Sequence, residues 1–228
     1  MKKYIIHILG IAILTLGIAG IITVELGAAP IDAFNVFMHN LITKNITEPK
    51  ITLGMVAITT GVLIVILNFI MKPDKEIFIS VIFLFFIGLF IDLWKLGFSL
   101  IPNEILFHIV IRIIISFLSL NFIAIGTAIS ITTGVPAGPY EKLLIVINRK
   151  ITNINLAKTA IEAFFFVLAL ITGLIANMLF KQVNIMTFLI IILSGPLTSF
   201  YVSKIRKNKK EVNELELKQN DWSYKAWT

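Results

Sequence analysis

The sequence predicts an all-α, polytopic membrane protein: six transmembrane helices in two inverted three-helix repeats, with short broken or re-entrant helices. Three observations predict it. First, 57% of the 228 residues are hydrophobic and only 14% are charged. With a mean hydropathy of +0.94, the chain falls outside the range of an ordinary soluble domain. Second, six apolar runs reach the roughly 20 residues needed to cross the hydrocarbon core. They are 4–24, 51–71, 77–98, 105–133, 159–180 and 183–203. Third, GIAGIITVELGAAPIDAF at 17–34 recurs as GTAISITTGVPAGPYEKL at 126–143. The constant offset of 109 places Gly17, Ala19, Ile22, Thr23, Ala28 and Pro30 on Gly126, Ala128, Ile131, Thr132, Ala137 and Pro139, and Asp32 on Glu141.

The first run begins MKKYIIHILG, like a signal peptide. Its apolar stretch outlasts a signal core of roughly 7–15 residues and proline follows the candidate cleavage site, so it reads as a retained span. The chain then breaks at Gly27 and restarts at Pro30, where a missing N–H costs nothing because the first helical turn has no use for it. Segment 30–44 is too short to span and is polar throughout, with Asp32, Asn35, His39 and Asn40. It is expected to be a short interfacial or re-entrant helix. The same holds for 139–150, which carries Glu141, Lys142, Asn148, Arg149 and Lys150. The spans 51–71 and 77–98 complete repeat one, about 4–98, and the last three form repeat two, about 105–203. Gly195-Pro196 in the sixth span marks a kink and a candidate hinge, since Pro196 cannot donate to the helix and its ring crowds the preceding turn. The transmembrane domain is placed at 1–205. The remainder, 206–228, reads as a basic then mixed-charge solvated tail with a helical turn or two, its Trp222, Tyr224 and Trp227 near headgroups.

Three spans per repeat is an odd number, so the second copy must enter the membrane inverted. Charge placement agrees. With the N-terminus cytoplasmic, fifteen Lys and Arg fall on that side, including seven in the tail. Four, Lys44, Lys50, Lys95 and Lys181, fall on the other, and Arg112 lies within a span. This is the positive-inside pattern, with both termini cytoplasmic.

Asp32 and Glu141 sit near the third position of the restarted helices. Either they stabilise a helix N-terminus through its dipole, worth about 0.3–1 kcal/mol, or they flank a midplane site that takes a cation, a proton or a zwitterion, with Pro30 and Pro139 as its helix breaks. Carboxylates and cations inside spans are costly and need partners. Glu25 lies at the end of the first span, where it reaches the interface. Glu162 and Lys158 read as an interfacial pair. Asp92, in GLFIDLWKL, needs a partner, and Lys95 or Arg112 is the obvious choice. Asn121, with Ser119, Thr132 and Thr133, either bonds between helices or lines a polar path.

Several function classes are excluded. There is no cysteine, hence no disulfide, thiolate ligand or Cys nucleophile. His7, His39 and His108 lack metal-ligand spacing, and no Walker loop, dinucleotide fingerprint or Gly-x-Ser-x-Gly occurs. No enzyme activity, cofactor or metal is expected. The net charge of +7 gathers beside the last apolar run, where it suits anionic headgroups rather than nucleic acid.

The paired Gly-x-Ala and Pro-x-Asp or Pro-x-Glu pattern, with Gly-Leu-Phe-Ile-Asp at 88–92 and Ser-Gly-Pro-Leu at 194–197, resembles the YczE/YyaS/YitT-type bacterial integral membrane proteins over most of 17–203. That resemblance implies a multi-pass protein of the bacterial cell (inner) membrane, loosely associated with export or production of secondary metabolites. It implies no catalytic or binding residue. The function expected is a secondary transporter or exporter of a small molecule or ion working by alternating access, with Asp32, Glu141, Glu25, Asn35, Asn121, Thr132 and Asp92 near the pathway. The alternative is a non-transporting scaffold or accessory subunit; third, because such a fold need not show the 109-residue duplication, comes the substrate-capturing subunit of a vitamin-type importer. Besides the bilayer and a solute, the partners left open are a second copy of the chain and another membrane protein.

Overall fold

The computed structural model describes residues 2–46, 50–73, 77–135, 138–151 and 154–225; the side chains of 209–225 and of a few others, Glu141 and Asn148 among them, lie outside that description. Among the described residues every regular element is helical. In order they are α1 (Lys2–Thr23), α2 (Pro30–Asn45), α3 (Leu53–Met71), α4 (Ile77–Ser99), α5 (Asn103–Leu106), α6 (Ile109–Thr132), α7 (Pro139–Ile151), α8 (Ile154–Ile175), α9 (Leu179–Gln182) and α10 (Ile185–Lys225). Six of them, α1, α3, α4, α6, α8 and α10, are long and apolar enough to cross a membrane.

At the centre, α1 and α6 cross antiparallel. His7 meets Ser130 and Thr133, Gly10 faces Gly126 and Ser130, Gly17 faces Ser119, and Val24 meets Arg112. Residues without bulk let the two backbones touch: a Cβ on Gly17 would strike the Ser119 carbonyl, and one on Gly126 the Leu14 backbone. In lipid, where apolar side chains gain nothing by leaving water, such close van der Waals contact holds helices together. Helix α4 lies against α1, with Trp94 Nε1 donating to Ala12 O at 2.9 Å. Helix α10 lies against α6, with the Tyr201 hydroxyl donating to Asn121 Oδ1 at 2.9 Å.

The two breaks have different fastenings. After α1, Glu25 and Gly27 adopt left-handed conformations, φ 53° and 113°, the second at little cost only because glycine has no Cβ. Arg112 caps the exposed end of α1, its Nε donating to Val24 O at 2.7 Å and its Nη2 to Glu25 O at 2.8 Å. Buried Gln182 donates to Ile22 O at 2.9 Å and its carbonyl accepts from Ala28 N at 2.8 Å. After α6, Gly134 takes φ 68°, and the His7 ring lies within 3.3 Å of Ser130 O.

Helix α2 then turns back along the bundle. It runs antiparallel to α3, with Thr60 donating to Asn35 at 2.7 Å and His39 Nε2 donating to Ile51 O at 3.1 Å. It runs alongside α8 in the same direction, Phe34 near Phe165 and Phe37 against Gly173. Thr60 lies about two turns into α3, about 12 Å along its axis, and Asp32 is nearly a turn deeper still. Helix α2 therefore starts about half-way along the bundle.

Three boundaries differ from expectation. The fifth span begins at Ile154 and ends at Ile175 because Asn177 takes a left-handed conformation, φ 54°, and only the short turn α9 follows. The fourth is preceded by α5, and the span itself begins at Ile109. The sixth does not stop at Ser203: α10 continues through the tail to Lys225. Beyond Pro196 the sequence has no Gly or Pro to end it and is rich in Lys, Glu and Leu, good helix formers.

Candidate functional site

The N-terminal ends of α2 and α7 meet the flank of α8 at mid-bundle. Pro30 is buried at the first position of α2, and its N-cap, Ala29, offers no side-chain bond. Asp32 follows in the first turn at 8% exposure, so more than nine-tenths of it is buried. It makes no hydrogen bond or ion pair among the described residues, and its electrostatic neighbour is Glu162 of α8. Burial strips the Asp32 carboxyl of its hydration, and the Glu162 carboxylate presents it with a like charge. At the far end of α2, burial pushes His39 below the usual imidazole range.

Glu162 is held from the other side. Tyr140, the second residue of α7, donates its hydroxyl to Glu162 Oε1 at 2.8 Å. One turn before Glu162, Lys158 donates to Ser194 Oγ of α10 at 2.9 Å, its ammonium resting beside Gly195. Asn68 of α3 anchors the start of α7, its Nδ2 donating to Pro139 O at 2.8 Å. Its buried Oδ1 has no partner. Between α8 and α10 opens a cavity of about 190 Å³, lined by Thr159, Glu162, Ala163, Phe166, Phe188 and Ile191. Its wall is apolar; Glu162 turns its methylenes to the cavity and its carboxylate to Tyr140.

Among the sequence-predicted residues, then, Asp32, Pro30 and Pro139 are brought together here, with Asn35 one turn along α2. The backbone of Glu141 lies in the first turn of α7. The others lie elsewhere. Glu25 pairs with Lys181 at 3.2 Å near the surface, as expected of an interfacial carboxylate. Asn121 joins α6 to α10, and Thr132 donates to Ile129 O within α6. Gly195 faces Lys158 and Pro196 lies inside α10. Asp92 does not take Lys95 or Arg112 as its hydrogen-bonded partner. It accepts from Thr52 Oγ1 at 2.6 Å and Gly54 N at 2.8 Å, meeting the unpaired N–H end of α3. Arg112 instead serves the carbonyl end of α1. Among the described residues no group of His, Asp or Glu could hold a metal ion.

Glu162 and Tyr140 were missed as site residues, and the reason is geometric. A fifth span starting at 159 would leave Glu162 at the interface; with α8 starting at Ile154 it lies about two turns in, about 12 Å along the axis. The signal was present in Lys158, which is compatible with a helix already under way.

Six helices long and apolar enough to cross a membrane make this a multi-pass membrane protein. The chain belongs to the family of unknown function DUF6198, whose model matches residues 1–203. It is 30% identical over 209 residues to the uncharacterized protein YyaS of Bacillus subtilis (strain 168), covering 90% of this chain and 95% of that protein. No solved structure matches it.

Proposed function

We propose that this protein is a secondary transporter of a small solute, built of two inverted three-helix repeats in the bacterial inner membrane with both termini cytoplasmic. The observation that carries the reading is the start of α2 inside the bundle, with Asp32 buried and unpartnered beside Glu162. At about 16 Å along the bundle from the start of α3, the pair sits near the middle of a hydrocarbon core of about 30 Å. A buried ionisable pair there is expensive unless it serves a pathway. Helix ends meeting at the midplane are how transporters of inverted repeats make their sites.

The packing supports the inversion. Exchanging the two copies by the offset of 109 turns the Gly17–Ser119 contact into Gly126–Gly10, and Gly17–Ile123 into Gly126–Leu14; both pairs are in contact. The same exchange relates α2 on α8 to α7 on α3, and α4 on α1 to α10 on α6. The test is reconstitution of the purified chain into liposomes and uptake of a panel of radiolabelled amines, amino acids and organic anions with and without a pH gradient. Saturable uptake lost in Asp32→Asn supports the reading; absence of any protein-dependent flux overturns it.

The accessory-subunit alternative draws on one observation, the continuation of α10 to Lys225. A helix projecting about 30 Å past Ser203 suits a partner's surface. Deleting 206–225 separates the two readings: a transporter keeps its flux, and an accessory subunit loses its partner on co-purification.

A further inference from the structure

We infer that Asp32 and Glu162 form a single proton-binding site, with the proton resident on Asp32 and the negative charge on Glu162. This deepens the transport reading, on which it rests for its consequence: the proton is the coupling ion.

The two carboxylates are unequally provided for. Glu162 accepts the Tyr140 hydroxyl at 2.8 Å and has Lys158 one turn away as an electrostatic neighbour, so its charge has a donor and a counter-charge. Asp32 has neither. The free N–H groups of the α2 first turn give it no hydrogen bond either, so it does not cap its own helix. A buried carboxylate without a donor is favoured as the acid, the more so with a second carboxylate nearby.

The other charges leave this balance in place. Helix α3, packed against α2, contributes only the neutral Thr60 and Asn68, and α1 carries its ionisable groups, Lys2, Lys3, Tyr4 and His7, at the far end. On α8 the groups are Lys158 and Glu162, and Lys158 is bonded to Ser194 of α10. From α7 come Tyr140, Glu141 and Lys142, of which Tyr140 is bonded to Glu162. His39 lies about two turns along α2, near Asp92 and Lys95.

A proton suits the site better than a metal cation. A hard cation needs some six oxygen ligands, while the α2 turn that carries Asp32 also carries Ala33 and Phe34, and Phe34 packs near Phe165. One lone pair suffices for a proton. The step is simple and balanced: the Asp32 acid gives its proton to water when the site opens, leaving a carboxylate, and takes one back before it closes.

The test reads the acid itself, independently of transport. The purified full chain in lipid nanodiscs is titrated from about pH 5 to about pH 9 while the infrared C=O band of buried carboxylic acid is followed. The expected result is one such band in the wild type that is lost as pH rises through neutrality, and is absent from Asp32→Asn at every pH. In Glu162→Gln the band remains but its proton affinity falls about tenfold, because the like charge has gone. Asp32→Asn mimics the protonated state and should fold, and the Glu162→Gln shift is a second readout if it does not. A wild-type spectrum indistinguishable from that of Asp32→Asn, or a band displaced by sodium ions at constant pH, overturns the inference. A proton band without any solute flux would end the transport reading alone; flux indifferent to pH, with no band, would end the proton site alone.

Discussion

Helices α3 and α4 close the first half of the chain, and α8 and α10 hold the corresponding places in the second, yet the two pairs pack differently. Along α3 and α4 the backbones are in close contact. A Cβ on Gly54 would strike the Gly88 carbonyl and Asp92, and one on Gly61 would strike Leu84. Between α8 and α10 the contact is made by long side chains, Lys158 to Ser194 and Phe166 beside Phe188 at 5.9 Å, and a cavity of about 190 Å³ opens there. The carboxylates follow suit. Asp92, in the closed pair, accepts two hydrogen bonds from α3; Asp32, packed on the flank of the open pair, accepts none among the described residues. Glycines draw one seam tight, while bulk holds the other apart.

The largest effect separating the two sides is in pH. Asp32 is buried without a hydrogen-bond donor, so the folded protein favours its acid form where the unfolded chain has it ionised. Stability is therefore greatest at acid pH and falls as pH rises above the ordinary carboxyl range. Denaturation of the purified protein with rising pH should show the fall, and Asp32→Asn should flatten it; an unchanged slope in the variant would remove Asp32 from its cause. Next, Gly54→Leu should destabilise by about 2–3 kcal/mol, since an added side chain has rigid backbone in its way. Thermal unfolding in detergent measures it. Asp92→Asn should cost about 1–2 kcal/mol by weakening the bonds that meet the start of α3. The smallest effect belongs to Gly195→Leu, within about 0.5 kcal/mol, because its nearest neighbour is the flexible tip of Lys158 at 3.4 Å. Equal costs for Gly54→Leu and Gly195→Leu would break the contrast between the seams.

The apolar runs and the Gly and Pro breaks were legible because both are local: a span is a matter of length and hydropathy, and a restart at Pro30 or Pro139 a matter of backbone chemistry. The Gly17 and Gly126 match was legible too, though its meaning, a crossing tight enough to exclude a Cβ, needed the partner helix. Partners across the bundle were not legible. Asp92 has Lys95 as an electrostatic neighbour, but its hydrogen bonds, like those of Arg112, go to a helix end, whose partial charge is invisible in a list of ionisable residues. Glu162 was misplaced by the start of α8, where Ile154 to Lys158 mixes apolar and polar residues and gives hydropathy little to decide on. The tail read as a solvated segment with a helical turn or two because of its charge, though its residues are helix formers and the helix runs on to Lys225.

The central claim is that α2 and α7 enter the bundle from opposite faces. The absence of cysteine allows a direct test by placing single cysteines at the exposed positions Lys44 and Arg149, at the far ends of these helices, and treating intact cells with a membrane-impermeant maleimide. Opposed helices require Lys44→Cys to label and Arg149→Cys to label only after the cells are opened. Equal labelling of both in intact cells would put the two ends on one face, and the paired half-helices, with the proton site between them, would lose their basis.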